Sequence, residues 1–174
     1  LQPGAVMFSD GGPDVRWVGN EKGFAGETNW SLLKRADFAP GAADREALNA
    51  GQEDGTHWLP AEVDVSIRPG WYYHEAEDSL VRTVPQLLDI YYASVGRNAS
   101  MLLNVPPDKT GRIPAVDSLR LMEFARALAA EFSKDLAADA RVSASNVRGH
   151  SGKYGAMRVT DGDTATYWAT DDDV

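Results

Sequence analysis

The period of apolar and polar positions changes several times along the chain, and each change predicts an element. AVMFSD (5–10) is a short apolar run that ends in Ser and Asp before the turn signal GGPD. It predicts a buried strand that delivers polar groups at its C-terminal end. Residues 22 to 57 mix small and charged residues and read mostly as loop. AEVDVSIR (61–68) alternates strictly, with Ala61, Val63, Val65 and Ile67 on one face and Glu62, Asp64, Ser66 and Arg68 on the other. Alternation alone leaves two readings of the polar face open: an edge strand with a solvated side, or a strand turned toward a site. From Thr83 to Gly96, Val84, Leu87, Leu88, Tyr91 and Val95 recur at helical spacing, with Thr83 as cap, Pro85 in the first turn and Gly96 as stop. MLLNV (101–105) predicts a strand closed by Pro106-Pro107. Residues 114–136 predict an amphipathic helix with Leu119, Met122, Phe124, Ala125, Leu128, Ala129 and Phe132 on its apolar face. Strand, loop, strand, helix, strand, helix is an α/β rhythm of parallel crossovers. From Ala138 onward the texture becomes rich in Ser, Thr, Gly and Asp with short β-type pieces, which predicts the beginning of an all-β module.

Composition narrows the function classes. The 174 residues suit one domain, or one and part of a second. A net charge of −9 argues against a general affinity for nucleic acid or anionic lipid. No apolar run approaches the roughly 18 residues that a membrane span needs, so no membrane insertion is expected. There is no cysteine, so disulfides and thiolate metal sites are excluded. The opening LQPGAVMFSD lacks the basic and apolar regions of a signal peptide. His57, His74 and His150 share no metal-ligand spacing. One stretch stands apart. GPDVRWVGNE (12–21) packs Asp14, Arg16, Trp17, Asn20 and Glu21 around Gly12 and Gly19. It carries too many charges for a buried strand and is too aromatic for a spacer. It reads as the lip of a site.

FSDGGPDVRWVGNEKGFAGETNWS, PAEVDVSIRPGWYYHEAED and LLDIYYASVGRNASMLLNVPPDKTGRI resemble three consecutive motifs of glycoside hydrolase family 29, the α-L-fucosidases. They are most similar to the branch that removes α-1,3/1,4-linked fucose from Lewis-type glycans. The resemblance runs from about residue 1 to 132. VTDGDTATYWATDD (159–172) is similar to the opening of a factor V/VIII type C, or discoidin-like, module. The implied organisation is the later part of a (β/α)₈-type barrel over residues 1–137, then the start of a β-sandwich over 138–174. Such a barrel needs about 250 residues, so the chain reads as an internal fragment, with the missing N-terminal half of the barrel as its partner.

The resemblance also implies roles. Family members are retaining glycosidases whose two carboxyl groups lie roughly 5–5.5 Å apart. The nucleophile is an aspartate on an earlier strand, which no residue here matches. The glutamate of GNE, Glu21, is the general acid/base, with Glu62 as the alternative. Glu62, Arg68, Trp71 and Trp58 are candidate substrate-binding residues. Arg68 equally fits a structural ion pair, and Trp58 is expected near the rim where the aglycone lies. Asn104 is expected to be structural. No organic or redox cofactor is implied. A structural calcium at Asp161, Asp163 and Thr166 competes with a plain Asp-Gly turn. Partners are fucosylated oligosaccharides, met outside the cell by a secreted, periplasmic or cell-surface parent. The rival reading is a carbohydrate-binding fragment without catalysis.

Overall fold

The computed structural model describes residues 2–38, 41 and 44–171. The chain divides into two compact units, residues 1–128 and 129–174. The first is built on a four-stranded parallel sheet. Its strands are β1 (Phe8–Ser9), β2 (Val15–Trp17), β5 (Ala61–Ser66) and β6 (Ala99–Asn104), in the spatial order β1-β2-β5-β6. A two-stranded antiparallel hairpin, β3 (Leu32–Leu33) with β4 (His57–Trp58), lies in the excursion between β2 and β5. The helices are α1 (Arg45–Ala50), α2 (Val84–Ser94) and α3 (Ala115–Glu131).

Strand β5 is central, paired with β2 on one side and β6 on the other. The edge-strand reading is therefore set aside. Ala61, Val63, Val65 and Ile67 are at most 1% exposed, because the face they share is covered. Ile67 joins Val81, Leu87 and Phe124 in a cluster that also takes in Met101 and Leu103 of β6. Val63 and Ala61 pack with Val18 and Ala25. Burying one such aliphatic side chain stabilises the fold by about 1.5–3 kcal/mol.

Helix α2 begins with a reciprocal capping box: the Thr83 hydroxyl accepts from Gln86 N, and the Gln86 side chain accepts from Thr83 N. Its end falls later than Gly96 suggests. A 3₁₀ turn spans Val95–Arg97, and the left-handed residue that stops it is Asn98, at φ 59°. In α3 the covered stripe is Val116, Leu121, Phe124 and Leu128, with Asp117 fully buried. Leu119, Met122 and Phe132, expected on the apolar face, are 52–59% exposed. The helix carries apolar residues on more than one side, so periodicity alone does not choose the buried stripe.

Three further expectations change. The apolar run 5–10 forms only the two-residue β1, and Val6, Met7 and Phe8 are exposed because the strand is paired on one side only. Residues 22–57 hold more than loop: a 3₁₀ turn, the hairpin and α1. Helix α1 starts on the Asp44 side chain, which accepts from Glu46 N, and stops at Gly51, at φ 67°. A Cβ on Gly51 would lie 2.0 Å from Trp30 O, so only glycine fits. Third, GPDVRWVGNE does contain an interior strand, β2, and Arg16 in its middle is fully buried.

In the second unit, described residues from 132 onward form no strand; they carry 3₁₀ turns at Arg148–His150, Gly152–Tyr154 and Ala156–Val159. Here the short β-type pieces expected from composition are absent. Ser and Asp side chains capture nearby backbone N–H groups instead, as Ser151 does for Lys153 and Asp163 for Ala165. Such local bonds compete with strand pairing. Longer ties join Asn146 to Trp168 and Thr170.

Candidate active site

The parallel register fixes which polar groups share a face. Trp17 stands opposite Glu62, Asp64 opposite Leu102, and Ser66 opposite Asn104. These side chains alternate with the covered aliphatic row and lie on the other side of the sheet. Beyond the C-terminal end of β2 the chain turns through Gly19-Asn20-Glu21. Gly19 has φ +80°, and a Cβ on it would meet the backbone and Cβ of Arg45 at 3.0–3.2 Å. Asn20 staples the turn, donating to Phe24 O at 3.0 Å while its carbonyl accepts from Lys22 N at 3.0 Å.

Arg16, in the middle of β2, is tied to the segments that follow it. Its guanidinium donates to Leu48 O at 2.9 Å and to Leu59 O and Asn29 Oδ1. These acceptors are neutral, and burial pulls its pKa down to about 10, so it stays charged at neutral pH. A strand with a charge is tolerated here because every arm of that charge finds an oxygen.

Glu21 is exposed at the lip of a cavity of about 560 Å³ lined by Trp17, Gly19, Asn20, Lys22 and Arg45 as well as Glu21 itself. Its Oε2 accepts from Trp71 Nε1 at 2.9 Å. Trp71 is itself held, since its carbonyl accepts from Asn104 Nδ2 at 3.1 Å. Asn104 also donates to Ser66 Oγ at 3.0 Å, and Ser66 Oγ donates to Gly70 O at 2.7 Å. The ends of β5 and β6 thus fix the loop that presents the indole to Glu21. Asn104 is thus structural, pinning the 66–71 loop.

Two further carboxylates stand on the open face of β5. Glu62 is partly buried, and burial, then the neighbouring charge of Asp64, pushes its pKa up. Burial raises that of Asp64 as well; a hydrogen bond from Trp17 Nε1 at 2.6 Å pulls the other way, and the charge of Glu21 adds to the rise. Asp64 was visible in the alternating pattern as one of the four polar-face residues, but nothing in the spacing marked it off from its neighbours. What distinguishes it is the indole that reaches it from β2, a contact 47 residues apart in sequence.

The other candidates lie elsewhere. Arg68 follows the ion-pair alternative. Its side chain is fully buried, Nε and Nη2 bind both oxygens of the buried Asp117 at 2.9 and 2.8 Å, Nη2 also meets Asp78 at 2.8 Å, and Nη1 donates to His74 O. That leaves the guanidinium facing protein, not a ligand. Trp58 is 71% exposed beside Pro3, Val6, Pro13, Val15 and Pro60, at the N-terminal ends of the strands. It stands there because β4 runs through Leu59-Pro60 straight into the start of β5, so it is at the far end of the sheet from Glu21, not at the expected rim. Among the described residues no group of three His, Cys, Asp or Glu side chains is arranged to hold a metal. Asp161 accepts from Asp163 N, Thr166 Oγ1 and Arg158, and Asp163 from Ala165 N, which is the bonding of an Asp-Gly turn.

Comparison with known proteins places this geometry. The family model of alpha-L-fucosidase matches residues 33–131. The chain is 46% identical to "Alpha-L-fucosidase 1" of Arabidopsis thaliana over 99% of its own length and 34% of that protein's. The solved structure of SpGH29 matches all of the chain and 37% of its own, at 37% identity and a TM-score of 0.91. A Ruminococcus gnavus GH29 fucosidase solved in complex with fucose matches 95% of the chain and 34% of its own, at 34% identity and a TM-score of 0.78. The chain spans about a third of the length of the curated relatives it matches. The α/β fold of the chain matches that of these α-L-fucosidase structures, and the chain belongs to the α-L-fucosidase family, glycoside hydrolase family 29.

Proposed function

We propose that this segment supplies the acid/base half of a retaining exo-α-L-fucosidase that releases terminal α-1,3/1,4-linked fucose from Lewis-type glycans. The observation that carries the reading is Glu21, a carboxylate at the C-terminal end of an interior strand, held by one oxygen on Trp71 Nε1 at the lip of a cavity. With Oε2 held, Oε1 is left to work on the glycosidic oxygen. In the first step the protonated Glu21 gives its proton to the leaving oxygen while an aspartate from a part of the enzyme outside this segment attacks the anomeric carbon. In the second, Glu21 takes a proton from water, and that water displaces the aspartate with a second inversion. Glu62 is the alternative acid/base, and otherwise an acceptor for a sugar hydroxyl. Trp71, about a third exposed, offers ring surface to sugar C–H groups.

Residues 138–174 we assign to the start of a discoidin-like module, with Asp161, Asp163 and Thr166 as the oxygen donors if calcium binds there. Work on external glycans fits a secreted, periplasmic or cell-surface enzyme. The test is a product assay on the intact enzyme with Lewis trisaccharides and an α-1,2-fucosylated lactose, following the anomer first released by NMR. Fucose released as the α-anomer, and faster from the Lewis substrates, is expected. The β-anomer contradicts retention, and preference for the α-1,2 linkage contradicts the specificity. Glycan binding with no fucose release favours the non-catalytic carbohydrate-binding reading.

A further inference from the structure

Trp17 and Asp64 come from different strands and meet across the sheet. The register sets Trp17 level with Glu62, yet its indole N–H is bonded not to that carboxylate but to Asp64, one row nearer the C-terminal end, at 2.6 Å. The ring therefore leans toward the cavity it shares with Glu21. Its other flank packs on the apolar cluster of Leu33, Phe38, Leu48 and Leu59. That contact limits where the ring can lie but sets no direction, since apolar packing is non-directional. The hydrogen bond does.

We propose that Asp64 is a positioning residue of the active site, which acts through Trp17: by accepting the indole N–H it fixes the aromatic wall of the cavity beside Glu21. Among the described residues no cation pairs with Asp64, so a structural ion pair does not account for it. Arg68, just beyond the C-terminal end of β5, is already committed to Asp117 and Asp78. The role of a wall is to hold substrate before and during the reaction, so its loosening raises KM more than it lowers kcat.

The inference rests on the fucosidase reading, and the test separates the two. In the intact enzyme, Asp64→Leu and Trp17→Phe are each expected to lower kcat/KM by about tenfold, the order of one lost hydrogen bond, and mainly through KM. The double variant is expected to be no worse than the poorer single one, because the second change removes nothing further. Asp64→Asn keeps an acceptor for the N–H and is expected to recover most of the loss. Losses that multiply in the double variant, or Asn as damaging as Leu, overturn the positioning role. Should Asp64→Leu not fold, Asp64→Asn against Trp17→Phe still decides: an Asn loss equal to the Phe loss contradicts the role. An unmodified enzyme that releases no fucose overturns both readings; an active one with uncoupled variants overturns this one alone.

Discussion

Two charged clusters draw on strand β5 and the residues just beyond it, and they are built on opposite principles. The closed one gathers Arg68, Asp117 and Asp78, with the guanidinium bonded to both oxygens of a buried carboxylate. Its pairing is complete: the hydrogen bonds that Arg68 donates to Asp117 lead the factors that raise the Arg68 pKa. The open one gathers Glu21, Glu62 and Asp64, and among the described residues none of the three has a cation partner. Two indole N–H groups, from Trp71 and Trp17, hold two of its three carboxylates, Glu21 and Asp64. Charges that serve stability are matched and sealed. Charges left unmatched on the open face of a parallel sheet are available to protonate, to deprotonate and to bind, which is the arrangement expected of catalytic carboxyl groups.

The sharpest way to break that contrast is to neutralise one member of each cluster. Glu21→Gln in the intact enzyme is expected to lower kcat on an oligosaccharide about 10²–10⁴-fold, the usual share of a general acid, with the thermal midpoint unchanged. Arg68→Met is expected to do the reverse. It strands the buried Asp117 charge and destabilises by about 3–5 kcal/mol in urea unfolding, with activity per folded molecule retained. The double change Arg68→Met, Asp117→Leu should restore much of that loss, since two apolar groups replace a matched pair. If the double variant is as unstable as the single one, the closed cluster is not held by its charges.

A milder probe is the cap of α2, the helix whose Leu87 shares a cluster with Ile67 and with Met101 and Leu103 of β6. Thr83→Ala removes one arm of the capping box and is expected to cost about 1 kcal/mol, read as a lower urea midpoint, with kcat unaffected. The smallest effect is in pH. Glu62 and Asp64 both have raised pKa values, so the folded state holds their protons more tightly than the unfolded chain does. Stability is therefore fullest below the ordinary carboxylate range and falls as pH rises through the raised folded values. Glu62→Gln with Asp64→Asn should flatten that fall in a thermal-midpoint series from acid to neutral pH. An unchanged slope would mean the open cluster is as well compensated as the closed one.

How far these clusters were legible in the sequence depends on the range of the contacts. Strand β5, its polar face, the capped α2 and β6 are local patterns, and they read directly from alternation, capping residues and helical period. The family resemblance then singled out Glu21 as the candidate acid/base, which composition could not. What stayed hidden are contacts between distant segments. Nothing near Arg68 announces Asp117, 49 residues on, and nothing near Trp17 announces Asp64. Arg16 shows the same limit. Its charge argued against an interior strand, yet three acceptors from elsewhere in the chain make β2 one. Trp58 has a topological reason for its place, since a position just before a strand in sequence lies at the N-terminal end of the sheet.

The most direct test of the central claim compares leaving groups. The intact enzyme and its Glu21→Gln variant would be assayed on a fucosylated oligosaccharide and on an aryl fucoside whose phenol departs without protonation. If Glu21 is the general acid, the variant loses orders of magnitude on the oligosaccharide and far less on the fucosylation step of the aryl substrate. Near-normal turnover of the oligosaccharide, or an equal loss on both, would contradict the account and shift the role to Glu62.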